Sequence, residues 1–449
     1  MEKNKRAARP IKKHKFGFET EFFLLEQDGE LSTRADELIK EVKERKPKIA
    51  IEKEYTYHMV ELASSPHVDF MDSAHEWAGL VSGIIEVAHT IGLSLYPYGA
   101  YPGFYEPQTR QTAFYKVMEG HDGAESARYG AGHVAGFHLH YCLPYGTFDK
   151  RGGELKRPYE SKNKDMLMSI HNSIVAADPA LTSFMASSPF VDLQNHVMDT
   201  RAMLYRDMLY RGPKKTITGH YYGKGMFGAL PSYAFGISEL STRIELMRKE
   251  FMEYTKENFP NMRDKVRERH DYAFFWGPIR ISRYGTIEYR GMDMNLPSYF
   301  TSASLLMKHM FERVMRDDLR VLPSDTGILE PFSVEGNLLH VPPYAHVAGV
   351  LQRKSAIEGT DSHEVRDYMK RLAAFALEGK SASKIEGMER VAQILETGKN
   401  CSDGMLKSAV KMGWRRGTGL SEDIAKKLAL EGAQELEDEV QKMLDGKKG

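Results

Sequence analysis

The sequence contains only two cysteines, Cys142 and Cys401, among its 449 residues. Two thiols are too few for the disulfide framework of small secreted proteins, and their scarcity is typical of a reducing compartment. Neither sign of charge is in excess, because 62 basic residues balance 62 acidic ones. A nucleic acid or an anionic membrane would favour a basic excess, so we expect neither as the main partner.

Long apolar runs are also missing. No stretch approaches the roughly 20 apolar residues of a membrane span, and the basic residues 1–15 lack the apolar core of a signal peptide. The composition, with 41% hydrophobic and 28% charged residues, is typical of a globular protein. We therefore expect a cytoplasmic protein whose residues 1–15 form a loose basic tail.

An apolar segment near the start, residues 16–25, is interrupted by two carboxylates, Glu19 and Glu21. Side chains alternate between the two faces of a strand, so these glutamates share one face. An unpaired carboxylate in a buried strand costs several kcal/mol unless its pKa shifts or a positive group neutralises it. A cation is the simplest remedy, so the segment predicts a strand with a cation-binding face.

Further segments are predicted to bring charged groups to the same face. Two short strands, residues 49–54 and 58–66, place Glu54 and Glu61 near their ends. The strand 136–144 and the hairpin of segments 276–283 and 286–290 also carry same-face pairs. These pairs are His138 with His140 and Glu288 with Arg290.

The remainder of the chain is mostly helical by its periodicity. We predict a helix over 73–91 capped by Asp72 or Ser73, a helix over 163–188 broken at Asp178-Pro179, and helices from 298–321 and 364 onward. The Gly-rich and polar residues 108–132 are interpreted as a substrate loop. We divide the chain into the tail, a catalytic domain of residues 16–355 and a helical extension of residues 356–449 that packs on it.

The predicted groups suit phosphoryl transfer. Carboxylates with imidazoles favour Mg²⁺ or Mn²⁺, whereas a structural zinc site would need clustered cysteines. Arg280, Arg283 and Arg290 supply positive forks for phosphate or carboxylate oxygens. The chain has neither a P-loop nor a kinase Gly-rich loop, so a nucleotide site has to be built on the sheet itself.

An ordinary cross-strand salt bridge is the alternative explanation for each charged pair, since a surface pair contributes only about 0 to 1 kcal/mol. Three same-face pairs on apolar strands favour a functional site.

Five motifs resemble, in the same order, those of the carboxylate-amine ligases related to plant and bacterial glutamate-cysteine ligase, within the glutamine synthetase superfamily. They are residues 17–22 (GFETEF), 61–66 (ELASSP), 136–140 (GFHLH), 186–190 (ASSPF) and 286–290 (TIEYR). The seven-residue spacing of Glu54 and Glu61 is similar to that of paired metal glutamates in glutamine synthetase. The resemblance covers residues 16–380.

The resemblance implies an α+β fold of the glutamine synthetase type, with a curved antiparallel sheet backed by helices. It implies that ATP and two or three Mg²⁺ ions, or Mn²⁺, bind the concave face. The implied metal ligands are Glu19, Glu21, Glu54, Glu61, His138 and Glu288. The implied phosphate or acyl-phosphate contacts are His140, Arg280, Arg283 and Arg290. A weaker match implies a substrate loop containing Asp199, Arg201 and Arg206.

Our main hypothesis from the resemblance is an ATP-dependent ligase that activates the γ-carboxyl of glutamate as an acyl phosphate for attack by an amine, with cysteine as the leading amine. A ligase for another amine, a guanidino kinase of the same fold, and a catalytically silent binding protein stay open, because fold does not fix substrate. The expected partners are these small molecules, and a homodimer is left open.

Overall fold

A computed structural model describes residues 14–157, 161–212, 216–267 and 276–446. Most of the predicted basic tail, residues 1–13, therefore lies outside the described residues. None of the described helices combines the length and the apolar character that a membrane span requires.

The strands alternate with helices along the chain. The strands are β1 (Phe16–Glu26), β2 (Ile51–Lys53), β3 (Met59–Ala63), β4 (Leu93–Tyr96), β5 (Gly136–Cys142), β6 (Phe148–Asp149), β7 (Glu154–Leu155), β8 (Phe190–Val191), β9 (Gln194–Asn195), β10 (Leu209–Arg211), β11 (Thr216–Thr218), β12 (Ile279–Ile281), β13 (Thr286–Asp293), β14 (Arg320–Pro323), β15 (Ser333–Glu335) and β16 (Leu338–Val341).

The helices dominate the second half of the chain. The α-helices are α1 (Ala35–Arg45), α2 (Phe70–Thr90), α3 (Ala113–Asp122), α4 (Ala124–Ala131), α5 (Lys162–Met185), α6 (Thr200–Tyr205), α7 (Gly225–Gly228), α8 (Ile237–Asn258), α9 (Arg263–Arg267), α10 (Pro297–Arg316), α11 (Asp325–Leu329), α12 (Tyr344–His346), α13 (Gln352–Ile357), α14 (His363–Ala376), α15 (Glu389–Thr397), α16 (Cys401–Lys411) and α17 (Glu422–Gly446).

A seven-stranded sheet forms the centre of the fold. Its strands lie in the order β12, β13, β5, β1, β3 and β2, and β4 pairs with the end of β1. Every pairing in this sheet is antiparallel. The predicted strands and the predicted hairpin are thus confirmed, and the fold is a mixed α/β arrangement with an antiparallel sheet and many helices.

The two faces of the sheet differ in chemistry because the strand side chains alternate. On one face Phe18 contacts Trp77 of α2 and Phe300 of α10, with ring centroids 6.2 Å and 5.5 Å apart. Trp77 is fully buried, and its Nε1–H donates to Thr20 Oγ1 over 2.9 Å. The helices therefore cover this apolar face and leave Glu19 and Glu21 on the opposite one.

Three predicted elements differ from the structure. Helix α2 begins at Phe70, and its N-cap is Asp69, whose side chain accepts a hydrogen bond from the Met71 N–H. Helix α5 continues through Pro179 without a break, because its surroundings bury nearly every residue and compensate for the lost backbone hydrogen bond. The predicted substrate loop, residues 108–132, contains helices α3 and α4.

The helices after residue 356 pack on the rest of the chain. Helix α17 lies against α2 and β4, and the buried side chains of α14 and most of those of α17 belong to the same apolar core as β1. Ser298 at the start of α10 donates through N–H and Oγ–H to Glu439, both over 2.8 Å. The division of the chain at residue 355 stays a prediction.

Candidate active site

A cavity of about 780 Å³ lies over the charged face of the sheet. Its wall combines acidic residues, histidines, arginines and aromatic side chains. The lining residues that sequence analysis had singled out are Glu19, Glu21, Glu54, Glu61, His138, His140, Arg201, Arg280, Arg283, Glu288 and Arg290.

Strand register brings the predicted ligands together. Glu19 lies opposite His138 in the β1–β5 pairing, and Glu21 lies opposite Glu61 in the β1–β3 pairing. On the next strand, Glu288 lies opposite His140. Each pair comes from segments far apart in sequence, so the antiparallel sheet assembles the site.

Three groups of side chains have ligand atoms within 4.8 Å of one another and have the composition of a metal site. The groups are Glu19, Glu61 and His138; Glu19, His140 and Glu288; and Glu21, Glu54 and Glu61.

The imidazoles lie between the carboxylates. His138 Nδ1 is 3.2 Å from Glu19 Oε2, and its Nε2 is 3.4 Å from Glu21 Oε1. His140 Nε2 is 3.3 Å from Glu19 Oε1, while its Nδ1 contacts Thr286 Oγ1 at 2.9 Å. Within the described residues, the buried Nε2 atoms of both rings lack a hydrogen bond of good geometry.

The acidic residues on β1, β3 and the end of β2 crowd one another. Burial and the Glu54 carboxylate raise the pKa of Glu21 to about 8. Burial raises the pKa of Glu54, and burial together with Glu19, Glu54 and Glu21 holds the pKa of Glu61 well above its usual range. Carboxylates in this state favour either protons or a cation in their midst.

Near the β12–β13 hairpin, positive neighbours shift the pKa of a carboxyl in the opposite direction. Burial works to raise the pKa of Glu288, but the Arg280 guanidinium and other positive neighbours lower it to about 2. Burial and Arg290 lower the pKa of His138 to about 4, so this imidazole is neutral near pH 7. Burial opposes protonation of His140, yet Glu19 and Glu288 raise its pKa.

Three arginines belong to the β12–β13 hairpin, and two of them bind the same carboxylate. Arg280 Nε donates to Glu288 Oε2 over 2.6 Å, and Arg290 Nη1 donates to Glu288 Oε1 over 3.1 Å. Arg283 is exposed in the hairpin turn, where its Nη2 donates to Tyr284 Oη over 2.7 Å. Arg201 lies beyond Arg290 and donates through Nη2 to the Arg290 carbonyl over 2.9 Å.

The structure places the three predicted substrate-binding residues in different surroundings. Arg201 lines the cavity, whereas Asp199 and Arg206 do not. Arg206 is 2% exposed and donates to Asp178 Oδ2 over 2.8 Å and to the Gly291 carbonyl over 2.6 Å. Fully buried groups with these contacts hold the fold, so we withdraw Asp199 and Arg206 from the predicted substrate site.

Sequence reasoning missed the aromatic part of the wall. Tyr55, Phe114, Tyr115, Tyr205 and Trp276 line the cavity. Tyr55 lies 5.0 Å from Tyr115, and Phe114 lies 5.9 Å from Trp276, measured between ring centroids. They come from separate segments without a shared spacing, so no local pattern could have identified them.

A sequence model of a protein family, described as glutamate-cysteine ligase family 2 (GCS2), matches residues 15–427. The chain belongs to glutamate-cysteine ligase family 2. Membership in this family of ATP-dependent ligases makes the cavity the candidate active site. No curated protein sequence is matched by this chain.

Two solved structures share the fold of this GCS2 family member at low sequence identity. A bifunctional glutathione synthetase from Pasteurella multocida is 11% identical with a TM-score of 0.55, over 94% of this chain and 52% of that chain. The chain thus spans about half the length of that protein. A glutamate-cysteine ligase from Francisella tularensis in complex with AMP is 12% identical with a TM-score of 0.54, over 97% of this chain and 94% of that chain.

Proposed function

We propose that this GCS2 family member uses ATP to convert the γ-carboxyl of glutamate into an acyl phosphate, which an amine then attacks. Cysteine is the proposed amine, and the product is then a γ-glutamyl amide. In the first step a carboxylate oxygen bonds to the γ-phosphorus and ADP leaves. In the second step the amine nitrogen bonds to the acyl carbon, loses a proton and displaces phosphate.

The observation that carries this proposal is the set of arginines that line the cavity beside the acidic clusters. Arg280 and Arg283 lie in the β12–β13 hairpin, near His140, whose pKa Glu19 and Glu288 raise against the effect of burial. Arg290 donates to the same Glu288 carboxylate as Arg280 and lies next to Arg201, and both Arg201 and Arg290 act on the charge of Glu21. Four guanidinium groups around one cavity suit two anionic substrates that have to meet there, since guanidinium groups match phosphate and carboxylate oxygens.

We assign the nucleotide phosphates to the β12–β13 hairpin and the carboxylate substrate to the region of Arg201. At the hairpin, Arg280, Arg283 and His140 are positioned to offset the charge that phosphoryl transfer spreads over oxygen atoms. Near Glu21, Arg201 and Arg290 hold the carboxylate, and Tyr205 closes the wall, with the Arg201 Cζ 5.6 Å from its ring centroid. This assignment gives a role to each of the four arginines that line the cavity.

The acidic residues fit a divalent cation, either Mg²⁺ or Mn²⁺. Glu19, Glu21, Glu54, Glu61, His138 and Glu288 are the proposed ligands, and three groups of them with His140 already have clustered ligand atoms. His138 is neutral and its Nε2 lacks a hydrogen bond of good geometry, which is the state a metal ligand requires. Bound there, the cation supplies positive charge that offsets the charge on phosphate oxygens.

The test is phosphate release by the purified chain with ATP, Mg²⁺, glutamate and a series of amines. We expect release that depends on both glutamate and the amine, with γ-glutamyl-cysteine as the product detected by mass spectrometry. Glu288→Gln serves as the inactive control. Phosphate transfer to a guanidine, or ATP hydrolysis that ignores glutamate, would contradict the proposal.

A further inference from the structure

Two carboxyl groups meet in the interior below the start of α6. Asp199 caps α6, and Asp293 ends β13; both have 0% exposure. The backbone approaches Asp293 so closely that a Cβ on Gly99 would lie 2.3 Å from its Cγ. The site is therefore closed to water and to substrates.

One oxygen of each carboxyl accepts hydrogen bonds from nearby donors. Asp293 Oδ2 accepts from the Ser187 N–H over 2.8 Å and from Ser188 Oγ–H over 2.7 Å. Asp199 Oδ1 accepts from the Ala202 N–H over 2.7 Å, which caps the helix. These bonds fix the orientation of both groups.

The second oxygens have no such donors. Among the described residues, no hydrogen bond reaches the buried Asp199 Oδ2 or Asp293 Oδ1. Ser188 joins the two groups, because its hydroxyl donates to Asp293 Oδ2 over 2.7 Å and accepts from the N–H of Thr200, the neighbour of Asp199, over 2.9 Å. The two carboxyls also act directly on each other. Two ionised carboxylates in contact would repel, and neither could donate. A single proton between them removes both problems.

The surrounding charges favour one negative charge at this place. The charged and titratable groups that act on the two carboxyls are Arg201 of α6, Arg206 after α6, Tyr289 of β13, Tyr96 of β4 and, through Arg206, Asp178 of α5. Burial, followed by the neighbouring Asp293, holds the pKa of Asp199 well above its usual range. Burial raises the pKa of Asp293 as well.

We propose that Asp199 and Asp293 share one proton, and that the resulting hydrogen bond fixes the start of α6 and thereby places Arg201 in the cavity. Both are positioning residues, since neither touches the cavity. Loss of this proton to solvent base leaves two facing anions, which push the α6 cap away from β13. The consequence for Arg201 rests on the proposed function, in which Arg201 binds the carboxylate substrate.

The first test is independent of activity. The protein is labelled with ¹³C at the aspartate carboxyl carbons, and NMR follows each signal with pH; the two signals are assigned by their loss in Asp199→Asn and Asp293→Asn. We expect one of the pair to remain protonated above about pH 7, far above the ordinary aspartate value of about 3.9. Completion of both titrations below about pH 5 would overturn the proposal.

The second test replaces the aspartates by asparagine, whose amide donates a hydrogen bond where a carboxylate cannot. Asp199→Asn keeps the helix cap and offers an N–H to Asp293, and Asp293→Asn offers one to Asp199, so each single variant should fold. The double variant points two NH₂ groups at each other. Its Tm should therefore fall further than the sum of the two single shifts, and additive shifts would contradict a direct bond between these side chains.

The third test links the pair to the cavity. In the unaltered protein, the KM for glutamate should rise by about threefold or more as the shared proton is lost at alkaline pH, with a much smaller change in kcat. In Asp199→Asn this rise should be absent, because the amide cannot lose its proton. Equal KM profiles for the two proteins would overturn the positioning role. Absence of ligase activity would instead contradict the proposed function and leave the NMR result standing.

Discussion

Glu19 lies directly opposite His138 in the paired strands β1 and β5, with Glu19 Oε2 3.2 Å from His138 Nδ1. The second nitrogen of the same ring lies 3.4 Å from Glu21 Oε1. One neutral imidazole therefore lies between the two carboxylates that share one face of β1. Because these groups are fixed by strand pairing rather than by loops, the geometry is maintained before any ligand binds.

Replacement of Glu19 should stop turnover and leave the fold intact. Glu19→Gln keeps the size of the side chain but removes the charge shared by two of the three clusters. We expect phosphate release to fall by about 10²-fold or more, as for other lost electrostatic groups in active sites. Glu26→Gln, at the end of the same strand, is the control. Turnover unchanged in Glu19→Gln would count against the metal assignment.

In the metal-free protein, the buried carboxylate of Glu61 should lower the stability of the fold. Its pKa is raised in the folded state above the ordinary value of 4.5, so its contribution to stability is greatest below that value and is lost as pH rises. At pH 8 Glu61→Gln should thus raise the Tm in metal-free buffer by about 1 to 3 °C. The gain should shrink towards pH 5.

The exposed Glu52, which lies opposite Glu61 in the β2–β3 pairing, provides the control Glu52→Gln. Addition of Mg²⁺ should reverse the order, because only the protein with Glu61 gains the full stabilisation by the ion. A Glu61→Gln protein that is less stable than its parent at pH 8 without metal would refute this prediction.

Strand alternation made much of the site predictable. Glu19, Glu21, His138, His140, Glu288 and Arg290 were each placed on a face by a two-residue period, and the structure brings all of them to one cavity. The period is local and survives any tertiary context. A local period does not show which strands are neighbours in the sheet. The expectation that the strands gather at one site needed the order of the family motifs.

Helices and long-range packing limited the prediction elsewhere. Arg201 and Arg206 were treated as one loop, but Arg201 lies in the first turn of α6 and Arg206 follows the helix with extended backbone, so the two side chains have different surroundings. Pro179 was expected to break α5, yet buried contacts along the whole helix outweigh the lost hydrogen bond. Tertiary packing decided both cases, and no local pattern records it.

Binding of Mg²⁺ should release protons. Glu21 has a pKa raised to about 8 by burial and Glu54, so below pH 8 it is mostly protonated and must ionise before it can hold a cation. Affinity for Mg²⁺ should therefore increase by up to about tenfold per pH unit from pH 6 to 8. Calorimetry in buffers of different ionisation enthalpy measures the protons released. The pH dependence should weaken in Glu21→Gln, and an affinity that ignores pH would contradict the account.

The same substitution should lower stability at Arg206 and weaken substrate binding at Arg201. Among the described residues, Arg206→Met leaves Tyr289 and Gln352 as the side-chain donors to the buried Asp178, so the free energy of unfolding should fall by about 3 to 5 kcal/mol. Arg201→Met removes a positive charge from the cavity wall, and the KM for glutamate should rise by about 10- to 100-fold, as expected for the loss of a charged hydrogen bond.

Urea denaturation and steady-state kinetics on both variants separate the two roles, and each variant is the control for the other. The reason for the difference is placement: one guanidinium faces the cavity, and the other is enclosed between α5 and β13. An Arg206→Met protein with unchanged unfolding free energy and a raised KM would restore the sequence-based assignment of Arg206 to substrate binding. It would also mean that the ion pair with Asp178 does not support the fold as its burial indicates.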